Sequence, residues 1–165
     1  MLIPRISVIA SRFIIICAVL GTGSLGWSQT DSWARSDDEG TCSNRTLHGD
    51  YGFTVEGVIL AIPGVMLPPG AALPLRGVGI VHLDGRGNLS QVDHVLVNGM
   101  PPPAAWTPGS GTYSLNSNCT GTAVINVPGN PLSPLKLHLV VVKDGKEFHT
   151  VVEANAVTST GIKIE

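Results

Sequence analysis

The sequence predicts an all-β domain: a single eight-stranded antiparallel up-and-down β-barrel, with a two-sheet β-sandwich as the alternative. Charged residues make up only 13% of the 165 residues, while glycine (20) and proline (12) are frequent. Apolar and polar residues alternate in short runs, and no long segment has a helical period. Most of these runs are joined by hairpin-type connections. Closing such a meander into a barrel removes its exposed edges.

The beginning of the chain is typical of a signal peptide. Arg5 and Arg12 precede a short apolar run at 13–21, and small residues before the junction predict cleavage after Ser28. The alternative is an uncleaved membrane anchor, but the run is shorter than the ~20 residues that a spanning helix needs. Three segments are therefore predicted: a signal peptide (1–28), a flexible polar leader (29–41) and a β-barrel domain (42–165).

The charge of the processed chain excludes several classes of partner. Cleavage would leave eight basic and twelve acidic residues, a net charge of −4, without a basic cluster. This composition argues against nucleic acid and against anionic membrane surfaces. We expect a secreted or periplasmic protein with no stable membrane insertion after cleavage. The oligomeric state stays open.

Cleavage also removes Cys17 and leaves two cysteines, Cys42 and Cys119. An even pair in an exported chain predicts a disulfide, with a reactive thiol or a metal ligand as alternatives. Cys119 follows a predicted two-residue turn at Ser117-Asn118, and Cys42 precedes the first strand. In a meander both positions lie at the same end, so the bond would tie the N-terminal approach to that end.

Eight segments have the alternation and the flanking turn residues of strands. They are 49–60, 75–84, 89–98, 110–116, 119–127, 135–144, 146–155 and 156–165. The turns "DGRGN", "NSN" and "DG" join strands two to three, four to five and six to seven. Asp144-Gly145 is a strong hairpin signal, and it places His149 opposite Val140.

Three other connections are longer. They are rich in proline and carry no charge: 61–74, 99–109 and 128–134. Because alternate connections of a meander fall at opposite ends, these loops share the end opposite the tight turns. They predict the mouth of a ligand cavity, and five apolar side chains would form its rim: Met66, Leu67, Leu73, Met100 and Trp106. The alternative is that the loops fold over the barrel end and plug its core.

A group of histidines and glutamates is the main candidate for metal or proton chemistry. His138 and His149 are predicted diagonal neighbours on adjacent strands, and Glu147 and Glu153 share their face. Such a set could bind a metal or relay protons. The opposite face of these strands is almost wholly apolar, which favours a solvated outer surface for the His/Glu face. No cofactor is expected, and no catalytic motif is present.

Four runs carry a resemblance: "CSNRTLHGDYGFTVEG", "DGRGNLSQVDHVLVNG", "GTYSLNSNCTGT" and "VVVKDGKEFHTVVE". They resemble a group of exported bacterial proteins of unknown function. More distantly, the predicted barrel is similar to the eight-stranded folds of allene oxide cyclases, dirigent proteins and lipocalins. This resemblance implies a small apolar molecule bound in the barrel, in some cases with its cyclisation or coupling steered there. No residue role carries over from these families.

Three functions fit these observations. The leading hypothesis is an exported barrel that binds a small apolar ligand through its Pro-rich end. The second is a cyclase- or isomerase-like enzyme that uses the same cavity, with shape and binding energy as its main catalytic devices. The third is a structural or surface interaction domain whose barrel is plugged.

Overall fold

The computed structural model describes residues 42–165, which form a closed barrel of eight antiparallel strands. The strands are β1 (His48–Ile59), β2 (Leu73–Asp84), β3 (Asn88–Val97), β4 (Thr107–Leu115), β5 (Thr120–Asn126), β6 (Leu135–Val142), β7 (Glu147–Val152) and β8 (Ala156–Lys163). Each strand pairs with its neighbours in sequence, and β1 pairs with β8 to close the ring. The predicted barrel is confirmed, and the sandwich is wrong. The predicted signal peptide and leader lie outside the described residues.

The alternation of the sequence decides which side chains point inward. Successive residues of a strand point to opposite faces, and inward positions on β5 and β6 are buried while their neighbours are exposed. Inward residues from all eight strands and Leu47 form the buried core, which includes Tyr51, Val81, Leu89, Tyr113, Ala123, Leu137, Phe148 and Val157. No helix within residues 42–165 is long and apolar enough to cross a membrane.

Three tight turns gather at one end of the barrel, which we call the turn end: 85–87, 116–119 and 143–146. The β6–β7 turn has Asp144 at φ 54° and Gly145 at φ 83°, both in the left-handed region that a type I′ hairpin requires. This turn pairs Val140 with His149, as predicted.

The β4–β5 turn corrects the prediction of a two-residue turn at Ser117-Asn118. Asn116 pairs with Thr120 through a 2.8 Å backbone hydrogen bond, so Cys119 is a third turn residue, with φ 65°. A two-residue turn of type I′ or II′ would require positive φ at Ser117, which serine does not favour. The longer turn changes the pairing by one residue, and Tyr113 therefore points inward opposite Ala123.

A short N-terminal segment, residues 42–47, closes the turn end, and we call it the plug. The Sγ atoms of Cys42 and Cys119 lie at disulfide distance, and the two Cα atoms are 5.0 Å apart. The Tyr113 hydroxyl lies 2.7 Å from the Leu47 carbonyl oxygen and 3.0 Å from that of Asn44. Leu47 is 1% exposed. The plug therefore completes the core at the turn end.

Several strand limits differ from those predicted. Strands β2 and β4 begin earlier, at Leu73 and Thr107, because Pro74 and Pro108 extend as strand residues rather than as loop. Proline's fixed φ is compatible with the first residues of a strand. Strand β7 ends at Val152, three residues earlier than predicted, since the chain turns sharply at 153–155.

Candidate functional site: the barrel cavity

The interior side chains leave a cavity of about 870 Å³ inside the barrel. Most of its lining is aliphatic or aromatic and comes from the inward positions of the strands. Representative lining residues, from the turn end upward, are Leu47, Phe53, Leu137, Val95, Leu75 and Val157. Protein interiors are normally packed with few voids larger than a water molecule. A space of this size is therefore an unusual feature of this core.

Aromatic rings form the floor of the cavity near the turn end. The rings of Tyr51 and Phe148 lie 5.4 Å apart between centroids at a tilt of 53°. The Phe53 ring covers Gly79, and its Cζ lies 2.5 Å from where a Cβ at Gly79 would stand. Glycine is required there because any larger residue would displace the ring. The Tyr51 hydroxyl donates to the Gly145 carbonyl at 2.5 Å and so fixes the floor to the β6–β7 turn.

The cavity continues into the loops at the opposite end, which we call the Pro-rich end: 60–72, 98–106 and 127–134. Its lining there includes Met100, Pro101, Pro103 and Pro128, all of which are exposed to solvent. The cavity thus reaches the surface between these loops. The loops are held by local bonds: Asn155 Oδ1 accepts from the Leu60 and Ala61 amides at 2.8 and 3.1 Å.

The five predicted rim residues separate into two groups. Leu73 and Met100 line the cavity. Met66 (97% exposed), Leu67 and Trp106 do not line it. Trp106 packs instead edge-on against His94, and His94 Nδ1 donates to the Ala105 carbonyl at 2.8 Å, which fixes this loop to the barrel wall.

One carboxyl group faces this apolar space. Asp93 on β3 is 8% exposed and is the only buried charged residue within 42–165. Gln91, two residues earlier on the same inward face, donates from Nε2 to Asp93 Oδ2 at 2.8 Å. Burial raises the pKa of the Asp93 carboxyl, while the Gln91 hydrogen bond and the nearby His94 act against that rise. Both residues line the cavity.

The second carboxyl oxygen of Asp93 is open to the cavity. Within residues 42–165 its carboxyl receives a hydrogen bond from Gln91 alone, and no fully buried side-chain oxygen or nitrogen there lacks a partner. Oδ1 must therefore remain accessible. Its neighbours across the sheet are Gly79 on β2, which the Phe53 ring covers, and Thr107 on β4, which also lines the cavity.

The opposite wall carries a polar pair without charge. Strand β7 lies four strands from β3 in the ring of eight, hence across the barrel. There Thr150 Oγ1 and Ser159 Oγ, on β7 and β8, hydrogen-bond to each other at 2.7 Å. Both residues line the cavity. Because each hydroxyl already has a partner, this wall is weakly polar, and Asp93 is the strongest polar feature of the site.

The predicted His/Glu set lies on the outer surface in two separate pairs. His138 Nε2 is 3.1 Å from Glu153 Oε1, and His149 Nε2 is 3.0 Å from Glu147 Oε1. Lys143 also bonds Glu147, and this bond holds the pKa of the Glu147 carboxyl below its usual range. No cluster of three or more metal-ligating side chains occurs in the described part of the chain.

The sequence analysis overlooked Asp93 and Gln91. The sequence nevertheless contains the information. Both residues lie an even number of positions from Leu89 and Val95 on β3, so all four point to the same, inward face. Asp93 and His94 are adjacent on β3 and point to opposite faces, and only the aspartate points inward. A charged residue at an apolar inward position is the pattern that identifies it.

The chain matches no protein-family model, no curated protein and no solved structure. Its resemblance to exported bacterial proteins and to ligand-binding barrels therefore remains a prediction from sequence. The function has to be argued from the cavity itself.

Proposed function

We propose that the barrel binds a small apolar molecule in the cavity that opens at the Pro-rich end. The observation that carries this proposal is the continuous apolar lining, from the aromatic floor to exposed loop residues, around about 870 Å³. Small-molecule sites are typically apolar clefts of roughly 300–1,000 Å³ with a few polar groups that fix orientation.

The packing of the barrel supports this assignment. An eight-stranded barrel is just wide enough to be filled by side chains or to hold one small ligand. Here the inward positions include Ala123, whose small side chain lines the cavity and occupies little of the space. A void lined by apolar atoms forfeits dispersion contacts on one side. A ligand of matching shape would restore those contacts, which gives binding a source of free energy.

The two ends of the barrel have roles that fit this proposal. The plug and the disulfide close the turn end, and the Pro-rich loops supply the entrance. Proline restricts the backbone of the loops and lowers the entropy lost on ordering them. The entrance is thus held in shape before a ligand arrives, which reduces the cost of binding.

A cavity-filling variant tests the proposal. Ala123 points inward and lines the cavity, while Val124 beside it points outward and is 37% exposed. We expect Ala123→Phe to abolish the fluorescence increase of N-phenyl-1-naphthylamine, a neutral apolar probe, and Val124→Phe to retain it. Leu135→Trp and its outward neighbour Lys136→Trp form a second matched pair, in case Ala123→Phe does not fold.

The proposal fails if the wild-type protein does not bind the probe, or if the inward and outward variants bind it equally. Failure to bind any apolar probe would favour the structural or surface interaction domain, in which the barrel has no ligand.

A second candidate function, a cyclase- or isomerase-like enzyme, rests on Asp93. A carboxyl group in a water-poor cavity, with a raised pKa, is a recurring arrangement for general acid–base catalysis. The distinguishing test is turnover: an enzyme would be recovered with its product in wild-type protein and with unconverted substrate in Asp93→Asn protein, so the two bound molecules would differ chemically. Identical ligand recovered from both proteins would argue against the enzyme.

The cysteine pair supports a further proposal, that the protein is exported. Disulfides persist mainly in oxidising compartments, and Cys42 and Cys119 lie at disulfide distance. N-terminal sequencing of the protein from its own host is expected to begin at Gln29, in the secreted or periplasmic fraction. Recovery of the chain from the cytoplasm with its N-terminus intact would contradict this proposal.

A further inference from the structure

We propose that the bound molecule carries a hydrogen-bond donor, a hydroxyl or an amine, that binds Oδ1 of Asp93, and that the cavity discriminates against carboxylic acids such as fatty acids. This inference rests on the proposed ligand-binding function and specifies the chemical class of the ligand. It follows from three observations about the charge and the hydrogen bonding of the cavity wall.

The first observation is the sign of the charge. Asp93 is the only ionisable acid or base among the cavity-lining residues of 42–165 apart from Tyr113, whose hydroxyl already bonds the plug. No lysine, arginine or histidine of that region lines the cavity. A carboxylate ligand would therefore enter a low-polarity space with no cation to pair with, and it would meet a like charge.

The second observation is the orientation of the Asp93 carboxyl. Gln91 engages Oδ2 at 2.8 Å and thereby fixes the group, and Oδ1 is left accessible to the cavity. An ionised carboxyl accepts hydrogen bonds and donates none. The complement of Oδ1 is thus a donor on the ligand.

The third observation is the distribution of polar groups. Asp93 lies at mid-depth on β3, with Thr107 beside it, while the floor below is aromatic and the lining above is aliphatic and proline-rich. The opposite wall carries no charge: its polar residues are the mutually bonded Thr150 and Ser159, with Thr158 and Asn155 towards the Pro-rich end. A ligand that matches this wall has a largely hydrocarbon body and one donor group.

A matched series of ten-carbon probes tests the inference. Decan-1-ol carries a donor, 1-methoxynonane carries an acceptor only, and decanoic acid is anionic at pH 8. Titration calorimetry at pH 8 is expected to show decan-1-ol binding about tenfold or more tightly than either of the others, as a hydrogen bond to a charged acceptor predicts. Asp93→Asn replaces the charged acceptor with a neutral amide and is expected to reduce the preference for decan-1-ol over 1-methoxynonane to about threefold or less.

Asp50→Asn is the matched control, because Asp50 is an exposed aspartate on the outer face, paired with His82. It is expected to retain the wild-type preference. Similar affinities for all three probes, tighter binding of decanoic acid, or a preference that survives Asp93→Asn would each overturn the inference while the proposed function stands. If no ten-carbon probe and no N-phenyl-1-naphthylamine binds, the proposed function fails and the inference fails with it.

Discussion

The two ends of this barrel are built in opposite ways. At the turn end, three short turns and the plug are joined by a disulfide, by hydrogen bonds from two tyrosines and by Leu47, which is 1% exposed. At the Pro-rich end, three long loops expose Met66 (97%) and Met100 (71%) and leave the cavity open between them. The first end holds the fold together, and the second is free to admit a ligand.

Under the proposed function, this difference separates stability from ligand binding along the barrel axis. A small all-β domain can afford an unfilled core only if other contacts supply the missing stability, because each void costs packing energy. Here those contacts are concentrated around the plug. Changes at the turn end should therefore alter unfolding, and changes to the cavity-lining residues of the Pro-rich end should alter binding with little effect on unfolding.

The largest effect on stability is expected from loss of the disulfide. Cys42→Ser with Cys119→Ser opens a loop whose ends are 77 residues apart in sequence, which in the chain-entropy model is worth about 4 kcal/mol. Chemical denaturation of the variant against the oxidised wild type measures this. A loss below about 1 kcal/mol would show that the plug holds without its covalent tie, and the contrast between the ends would weaken.

A smaller effect is expected from Tyr113→Phe. The hydroxyl donates to the Leu47 and Asn44 carbonyls. Its removal leaves the carbonyl of buried Leu47 without this donor, at a cost of about 1–3 kcal/mol, while the Asn44 carbonyl still accepts from the Leu47 amide. Amide hydrogen exchange measures this: relative to wild type, Tyr113→Phe should speed the exchange of plug amides more than that of β6 amides. If exchange rises equally in both, the tyrosine stabilises the whole barrel rather than the turn end.

Two aspartates should give stability profiles of opposite sign against pH. Asp84 accepts hydrogen bonds from the Asn88 side chain and from the Asn88 and Arg86 amides, which lower its pKa from 3.8 to about 2. Its contribution is present above about pH 4 and is lost as the pH falls towards 2. The stability advantage of wild type over Asp84→Ala should shrink across that interval in thermal denaturation.

Burial raises the pKa of Asp93, so ionising this carboxyl costs more in the folded protein than in the unfolded chain. Wild type should lose stability relative to Asp93→Asn as the pH rises from about 4 through the raised pKa. Asp93→Asn should therefore melt higher than wild type at pH 7, and the two should converge at pH 3. A lower melting temperature for Asp93→Asn at pH 7 would show that the ionised carboxyl has partners beyond Gln91.

The smallest effect is expected at the Pro-rich end. Met66→Ala removes a side chain that is 97% exposed and does not line the cavity, and such changes usually stay within about 0.5 kcal/mol. Denaturation should be unchanged, and so should binding of N-phenyl-1-naphthylamine. A clear loss of binding would place Met66 at the entrance, as the sequence analysis predicted.

The sequence predicted the fold well because its signals were local. Alternation specified the inward face of each strand, Asp144-Gly145 specified a hairpin, and the contrast between short turns and Pro-rich loops specified the two ends. The β4–β5 register could not be predicted, because it depends on a left-handed backbone at Cys119 that the residue type does not favour. The plug was foreseen only through the cysteine pair.

The site was less predictable than the fold. The predicted rim residues are alike only in being apolar. Trp106 packs on the outer wall, and Leu73 belongs to a strand. The size of the cavity follows from how side chains of several strands meet across the barrel, which alternation does not specify. Asp93 could have been predicted, because the alternation along β3 by itself places its side chain inside the barrel.

The central claim is that the interior of this barrel, entered from the Pro-rich end, binds an apolar molecule. The most direct measurement is a methyl NMR titration with decan-1-ol, comparing inward Leu137 and Val95 with outward Val78 and Val140. In wild type, the signals of the inward methyl groups are expected to shift saturably, and those of the outward groups are expected not to shift. In Ala123→Phe no saturable shift is expected. Shifts confined to the outward methyl groups, or no saturable shift at all, would contradict it.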